Sequence, residues 1–240
     1  MRKVIFLIIA VIVTNAAWSQ RKHHKSNNKS ANETPTWFFL DLQGGFGVDE
    51  YFNTNINNDQ NVEISYVNPS FSYVGKFGVN FSFGVGLAFE MGISNFSQSY
   101  DIKPIVGGST FTHTSEVSAL QKTILLRHST LGSYIEAGPQ FLSIKSGDYY
   151  QNFTNIVLGF GGPLVYKNSF DINLGLRLTY SLSDVMNNNY PDNAGLKYIP
   201  VYSSYTPTSI LSAQLTLGVN WHIGYFSQAK CDKHIEFLFM

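Results

Sequence analysis

Residues 169–183 alternate without a slip. Phe170, Ile172, Leu174, Leu176, Leu178, Tyr180 and Leu182 share one parity, and Asp171, Asn173, Gly175, Arg177, Thr179, Ser181 and Ser183 share the other. A period of two places side chains alternately on opposite faces, so this run reads as a strand about twice the usual length. Residues 209–225 nearly repeat the pattern, with Leu211, Ala213, Leu215, Leu217, Val219, Trp221, Ile223 and Tyr225 on one face. Long strands that are apolar on one side and polar or glycine on the other suit a closed barrel standing in lipid. There every backbone group must find a partner within the protein.

The N-terminus carries Arg2-Lys3, an apolar run from Val4 to Val13, and Ala17-Trp18-Ser19 before Gln20. A basic start, a short apolar core and small residues at a cut site predict a secretory signal peptide over 1–19, cleaved after Ser19. The apolar core is too short for a spanning helix. Residues 20–35 are polar and basic, with no apolar period, and read as a flexible periplasmic leader. The adjacent His23 and His24 lie in that tract and give no metal-site geometry.

Composition narrows the class further. Charged residues make up 13% of the chain, about half the usual share. Aromatic residues reach 15%, as the girdles of membrane barrels require. The single cysteine, Cys231, excludes an internal disulfide. With 16 acidic and 16 basic residues, net charge gives no basis for nucleic-acid binding.

From Thr36 onward eight strand-like runs follow: 36–48, 69–79, 82–95, 117–128, 132–145, 153–166, 169–183 and 209–225. The fourth is apolar on both parities in its middle, so its facing stays open. Pro139 and Pro163 interrupt the fifth and sixth, and a mid-strand proline marks a bulge or an unpaired position. The connections alternate between long and short: 49–68, 80–81, 96–116, 129–131, 146–152, 167–168 and 184–208. Short turns on one rim and long loops on the other are the pattern of an outer-membrane barrel. The expected fold is all-β: an eight-stranded antiparallel up-and-down transmembrane barrel over 36–226, followed by a periplasmic tail, 227–240. A soluble sandwich or lipocalin-like barrel would instead need bulky aliphatic residues on its inner face.

Eight strands enclose only enough space for their own inward side chains. On this parity the lumen receives Asp41, Lys76, Glu90, Glu136, Asp171, Arg177 and His222. Charges removed from water must be paired. Arg177 is expected to reach Glu136 or Glu90, and Lys76 to pair with Asp41 or Glu90. A static ion-paired plug is the leading expectation; a solute path or proton relay through Glu90, Glu136 and Arg177 is the alternative.

Catalytic constellations are weak. His128 and Ser129 are neighbours in a strand and so face opposite ways, and His113 with Ser115 falls in an expected loop. No phosphate loop or zinc spacing stands out, so the chain is expected to be neither an enzyme nor a cofactor binder.

Phe39–Gly47 (FLDLQGGFG), Phe83–Gly92 (FGVGLAFEMG) and Tyr134–Phe141 (YIEAGPQF) together resemble the outer-membrane β-barrel family described as PorT-like or porin-like. The resemblance spans about 36–226. It implies an eight-stranded barrel in the outer membrane and names no catalytic residues. Some members of that family serve secretion or gliding machinery. The expected partners are outer-membrane lipid, the barrel-assembly machinery, and an envelope protein or extracellular ligand met through the loops 49–68, 96–116 and 184–208. A narrow porin-like channel and a subunit of a secretion or envelope-assembly complex are the competing functions.

Overall fold

The computed structural model describes residues 36–58, 60, 62–64, 68–81, 84–103, 109–130, 133–147, 150–166, 170–186 and 206–226. The expected signal peptide, leader and tail, with Cys231, lie outside these. Nine strands form one antiparallel sheet: β1 (Thr36–Phe52), β2 (Val62–Ile64), β3 (Asn68–Asn80), β4 (Val85–Ile102), β5 (Phe111–Thr130), β6 (Ser133–Ser146), β7 (Phe153–Tyr166), β8 (Phe170–Ser181) and β9 (Ser209–Phe226). Eight of them are staves, each paired with its neighbour in sequence, and the β1–β9 pairing closes the ring. The three-residue β2 is a rim addition, paired to the upper end of β4. A closed up-and-down barrel leaves none of its eight staves with an unpaired edge inside its wall.

Register fixes the tilt. Paired residues lead round the ring from Phe38 through Val79, Leu87, Leu126, Ala137, Leu158, Leu178 and Ala213 to Val48, ten residues further along β1. That stagger in an eight-stranded ring tilts the strands by roughly 40°. The outer wall is apolar, with Leu42, Phe46, Phe77, Leu87, Phe89, Leu126, Ile135, Leu174, Leu215 and Leu217 exposed. The interior holds Lys76, Glu90, Glu136, Arg177, Gln121 and Gln140, all buried. This arrangement is the reverse of a barrel that is stable in water.

Several expectations from sequence change. The fourth stave, β5, runs over 111–130, not 117–128, and β4 extends to Ile102. The expected loop 96–116 is therefore mostly a paired hairpin continuing above the apolar band, with Ser97–Ile102 opposite Phe111–Glu116. Its outward residues are polar like its loop neighbours, so alternation ends before pairing does. Where a turn at 80–81 is expected, β3 ends at Asn80 and β4 begins only at Val85: Gly84 adopts φ +82° and its amide bonds the Phe81 carbonyl at 2.9 Å. A left-handed residue at that corner favours glycine. The open facing of β5 is settled: Gln121, Thr123, Leu125 and Arg127 point inward, and Lys122, Ile124, Leu126 and His128 point outward.

The prolines sit where they cost least. Pro139 keeps its partner on β7, Ile156, and faces outward, while the β5 ladder skips between Thr123↔Gln140 and Leu126↔Ala137. Pro163 borders a register shift that leaves Leu164 unpaired and exposed.

Candidate functional site

The lumen is filled in layers. At its centre, β3, β4, β6 and β8 bring Lys76, Glu90, Glu136 and Arg177 together. The Arg177 guanidinium donates to both Glu90 oxygens, at 2.8 Å from Nη1 and 2.5 Å from Nη2. It also reaches Glu136 Oε1 at 3.4 Å. Lys76 Nζ donates to Glu136 at 2.7 and 2.9 Å and lies 3.7 Å from Glu90. Each carboxylate is therefore shared by at least two cations. Fork-on-carboxylate pairing is among the strongest polar contacts.

Arg127, absent from the expected lumen set, is the third buried cation. Its Nη1 lies 4.0 Å from Glu136 Oε2, and its guanidinium carbon lies 4.0 Å from the centre of the Tyr134 ring and 4.8 Å from that of Phe39. Stacking on aromatic faces suits the planar, weakly hydrated guanidinium. Asp41 departs from expectation. It faces Lys76 across the β1–β3 ladder, yet Lys76 turns to Glu136, and neither Asp41 oxygen has a hydrogen-bond partner. The lysine instead donates to both oxygens of Glu136. Counted as ionised, Asp41, Glu90 and Glu136 balance Lys76, Arg127 and Arg177.

Amide side chains extend this layer toward the long-loop rim. Asn155 Nδ2 donates to Gln140 Oε1 at 2.9 Å, Gln140 Nε2 to Gln121 Oε1 at 3.2 Å, and Gln121 Nε2 to Glu90 Oε1 at 3.2 Å. Thr123 Oγ1 adds a donor to Glu90 at 3.0 Å. A cavity of about 30 Å³ above the layer is bordered by Asp49, Gln121, Asn155, Arg177 and Ser212. It is large enough for one or two waters and for nothing bigger.

Above it an apolar plug closes the long-loop mouth, formed by Tyr51, Phe96, Tyr150, Phe153, Met186 and Ile210 among others. The Phe96 ring meets Tyr150 and Phe153 edge-on at 5.8 and 6.2 Å. The loops are tied across: Val185 N donates to Thr208 O, and Asn53 Nδ2 to Thr208 Oγ1 at 2.8 Å. At the opposite end Asp171 Oδ2 lies 3.1 Å from His222 Nε2 and accepts from Asn220 at 3.3 Å.

Inward glycines explain how such large groups fit so narrow a bore. Glu136 lies opposite Gly159, Tyr134 opposite Gly161, and Phe39 opposite Gly78. A Cβ on Gly159 would stand 2.8 Å from Glu136 Cγ. An inner face expected to be glycine and small polar groups leaves out Phe39, Leu125 and Val157, which pack with Ala88 in a second apolar cluster. Their signal was inward parity alone. For the loop-end plug the parity could be followed only once the strands were known to run beyond their alternating parts.

The side chains near the charge layer offer no nucleophile held by a base. His128 is exposed on the outer wall, whereas Ser129 points inward and donates to Asn80 at 2.9 Å. Among the described residues no three His, Cys, Asp or Glu side chains stand together as a metal site would need.

No protein-family model matches this sequence, and no curated protein does. The PorT-like resemblance therefore stands on the three motifs alone. Among solved structures the chain is similar to the Neisserial surface protein A, with 13% identity and TM-score 0.42, over 77% of this chain and 96% of that one. It is also similar to the outer membrane protein AlkL in lipid bilayers, with 12% identity and TM-score 0.40, over 88% and 100%. The translocator domain of the autotransporter NalP from Neisseria meningitidis gives 10% identity and TM-score 0.30, over 89% and 97%. No residue role passes from them to this chain at such identities.

Proposed function

We propose that the chain is an integral outer-membrane barrel with a sealed lumen, whose work is structural or interactive and not catalytic. The observation that carries this is the pair of closures in series. The buried layer of Lys76, Glu90, Arg127, Glu136 and Arg177 spans the bore, and the Tyr51–Phe96–Phe153 plug caps it. An apolar outer wall around a polar interior supports placement in lipid. The long-loop pattern supports orientation with the β4–β5 hairpin outside the cell, where its exposed polar residues Ser97, Ser99, Asp101, Thr112 and Thr114 make a surface for a protein or glycan. A cleaved leader and insertion by the barrel-assembly machinery belong to the same reading.

A narrow channel is the second reading, and one observation favours it. Asp41, Asp171 Oδ1, Asn173 Nδ2 and Asn220 Oδ1 have no hydrogen-bond partner in the short-turn half of the lumen, which suits water entering from that side. Single-channel recording in a planar bilayer separates the two. The folded, heat-modifiable protein is expected to give no steady conductance. Discrete reproducible openings would overturn the sealed-lumen reading.

A further inference from the structure

The outer wall carries one charge where none belongs. Lys122 on β5 points outward between Leu120 and Ile124, with exposed Met91 paired on one side and exposed Phe141 on the other. A polar border runs just above it: Asn95 pairs with Ser118, Leu120 with Ser143 and Phe141 with Thr154. The other outward charges of this wall stand at or beyond its borders. Glu116 and Lys145 lie above that row, and His128 lies at the short-turn rim. Glu50 is carried to the border by the ten-residue stagger. Among the described residues Lys122 is thus the charged side chain within the apolar band.

At a tilt near 40° each residue advances roughly 2.5 Å along the barrel axis, so Ser118 lies roughly 10 Å above Lys122. A lysine stem spans about 6 Å, enough to carry its ammonium to the interface on the long-loop side but not beyond it. Lys145 waits there on the adjacent stave. It is exposed and left out of register at the irregularity facing Ser118 and Ala119. No ion pair joins either lysine to Glu116 or to any other described carboxylate. Lys122 within the band and Lys145 at its border are thus two exposed lysines on adjacent staves, both within a stem's length of the same headgroup depth.

We infer that Lys122 and Lys145 form a binding site for the phosphate of an anionic lipid in the leaflet facing the long loops. This rests on the membrane reading above. Leu120, Ile124, Met91 and Phe141 line the acyl-chain side of the site, and the two ammonium groups take the phosphate. A lysine stripped of that partner at this depth is destabilising, so the lipid and the barrel stabilise each other.

The test is native mass spectrometry of the full folded protein in micelles titrated with phosphatidic acid or phosphatidylcholine. Wild type is expected to retain phosphatidic acid preferentially. Lys122→Gln should weaken that retention about fivefold, and Lys145→Gln by a similar factor. Lys122→Arg should keep it, and Lys103→Gln, a change in an exposed pair with Glu63 above the band, should leave it unchanged. Equal retention of both lipids by wild type, or an unaltered Lys122→Gln, overturns the site. Competition by millimolar inorganic phosphate as effective as the lipid would assign it to a soluble anion instead. Insertion into phosphatidylcholine vesicles is scored separately: a folded barrel that does not insert overturns the membrane reading itself, whereas one that inserts without lipid preference overturns only the lysine site.

Discussion

Glu136→Ala should lower the unfolding free energy by about 3–5 kcal/mol, the cost of removing one partner from a buried ion pair. Glu136 accepts from Lys76 and Arg177 and lies within 4.0 Å of Arg127. Its loss leaves three buried cations facing Glu90 and the unbonded Asp41. Truncation also opens space beside Gly159, and backbone cannot fill it. Urea titration of the folded protein in vesicles, read as loss of heat-resistant gel mobility, measures the change. Pairing the substitution with Lys76→Met should recover part of the loss, because one stranded cation disappears with its partner. A loss below about 1 kcal/mol would resemble a solvent-exposed pair. It would show that the layer is hydrated, and with it the sealed lumen would fail.

How far the sequence discloses this layer depends on parity. Where a strand keeps strict alternation, as β8 does around Arg177, the inward set follows from period two alone. Glu90 and Glu136 are assigned in the same way. Where neighbours of both parities are apolar, as in Ile124–Leu126 of β5, the pattern carries no facing information, and Arg127 stays unassigned. Pairing is harder still. Glu90 and Glu136 sit on staves that are not adjacent, and the distances from Arg177 to each depend on stagger and bore. Of the two partners expected for Lys76, Glu90 lies within ion-pair distance and Asp41 does not bond it, because ladder neighbours need not be ion-pair partners when other acceptors lie across the lumen. Strand ends differ where the ladder leaves the apolar band, since an apolar outer face, not pairing, creates the alternation. Of the two prolines, Pro163 marks a real register shift, at Pro163–Val165, whereas Pro139 marks a gap in the β5–β6 ladder that keeps its register.

Leu217→Arg separates a barrel that lives in lipid from one that lives in water, because the two make opposite predictions. Leu217 is 54% exposed on the outer face of β9, flanked by Leu215 and paired with Leu174 on β8 and Gly44 on β1. Near the middle of a bilayer, arginine on the lipid face costs about 2–4 kcal/mol, falling toward zero near the interfaces. Unfolding in vesicles should therefore shift by that amount, and insertion from denaturant should slow. Leu182→Arg, at the long-loop end of the wall, should cost much less. Its side chain is no less exposed, at 63%, so a smaller cost reads depth and not burial. In water the same Leu217→Arg change removes a solvent-facing apolar group and should leave stability nearly unchanged while improving solubility. Equal stability of the Leu217 and Leu182 variants in vesicles would place the wall outside the hydrocarbon. A steep difference between them would map the band on which the depth of Lys122, and the reach of its ammonium to the headgroups, depend.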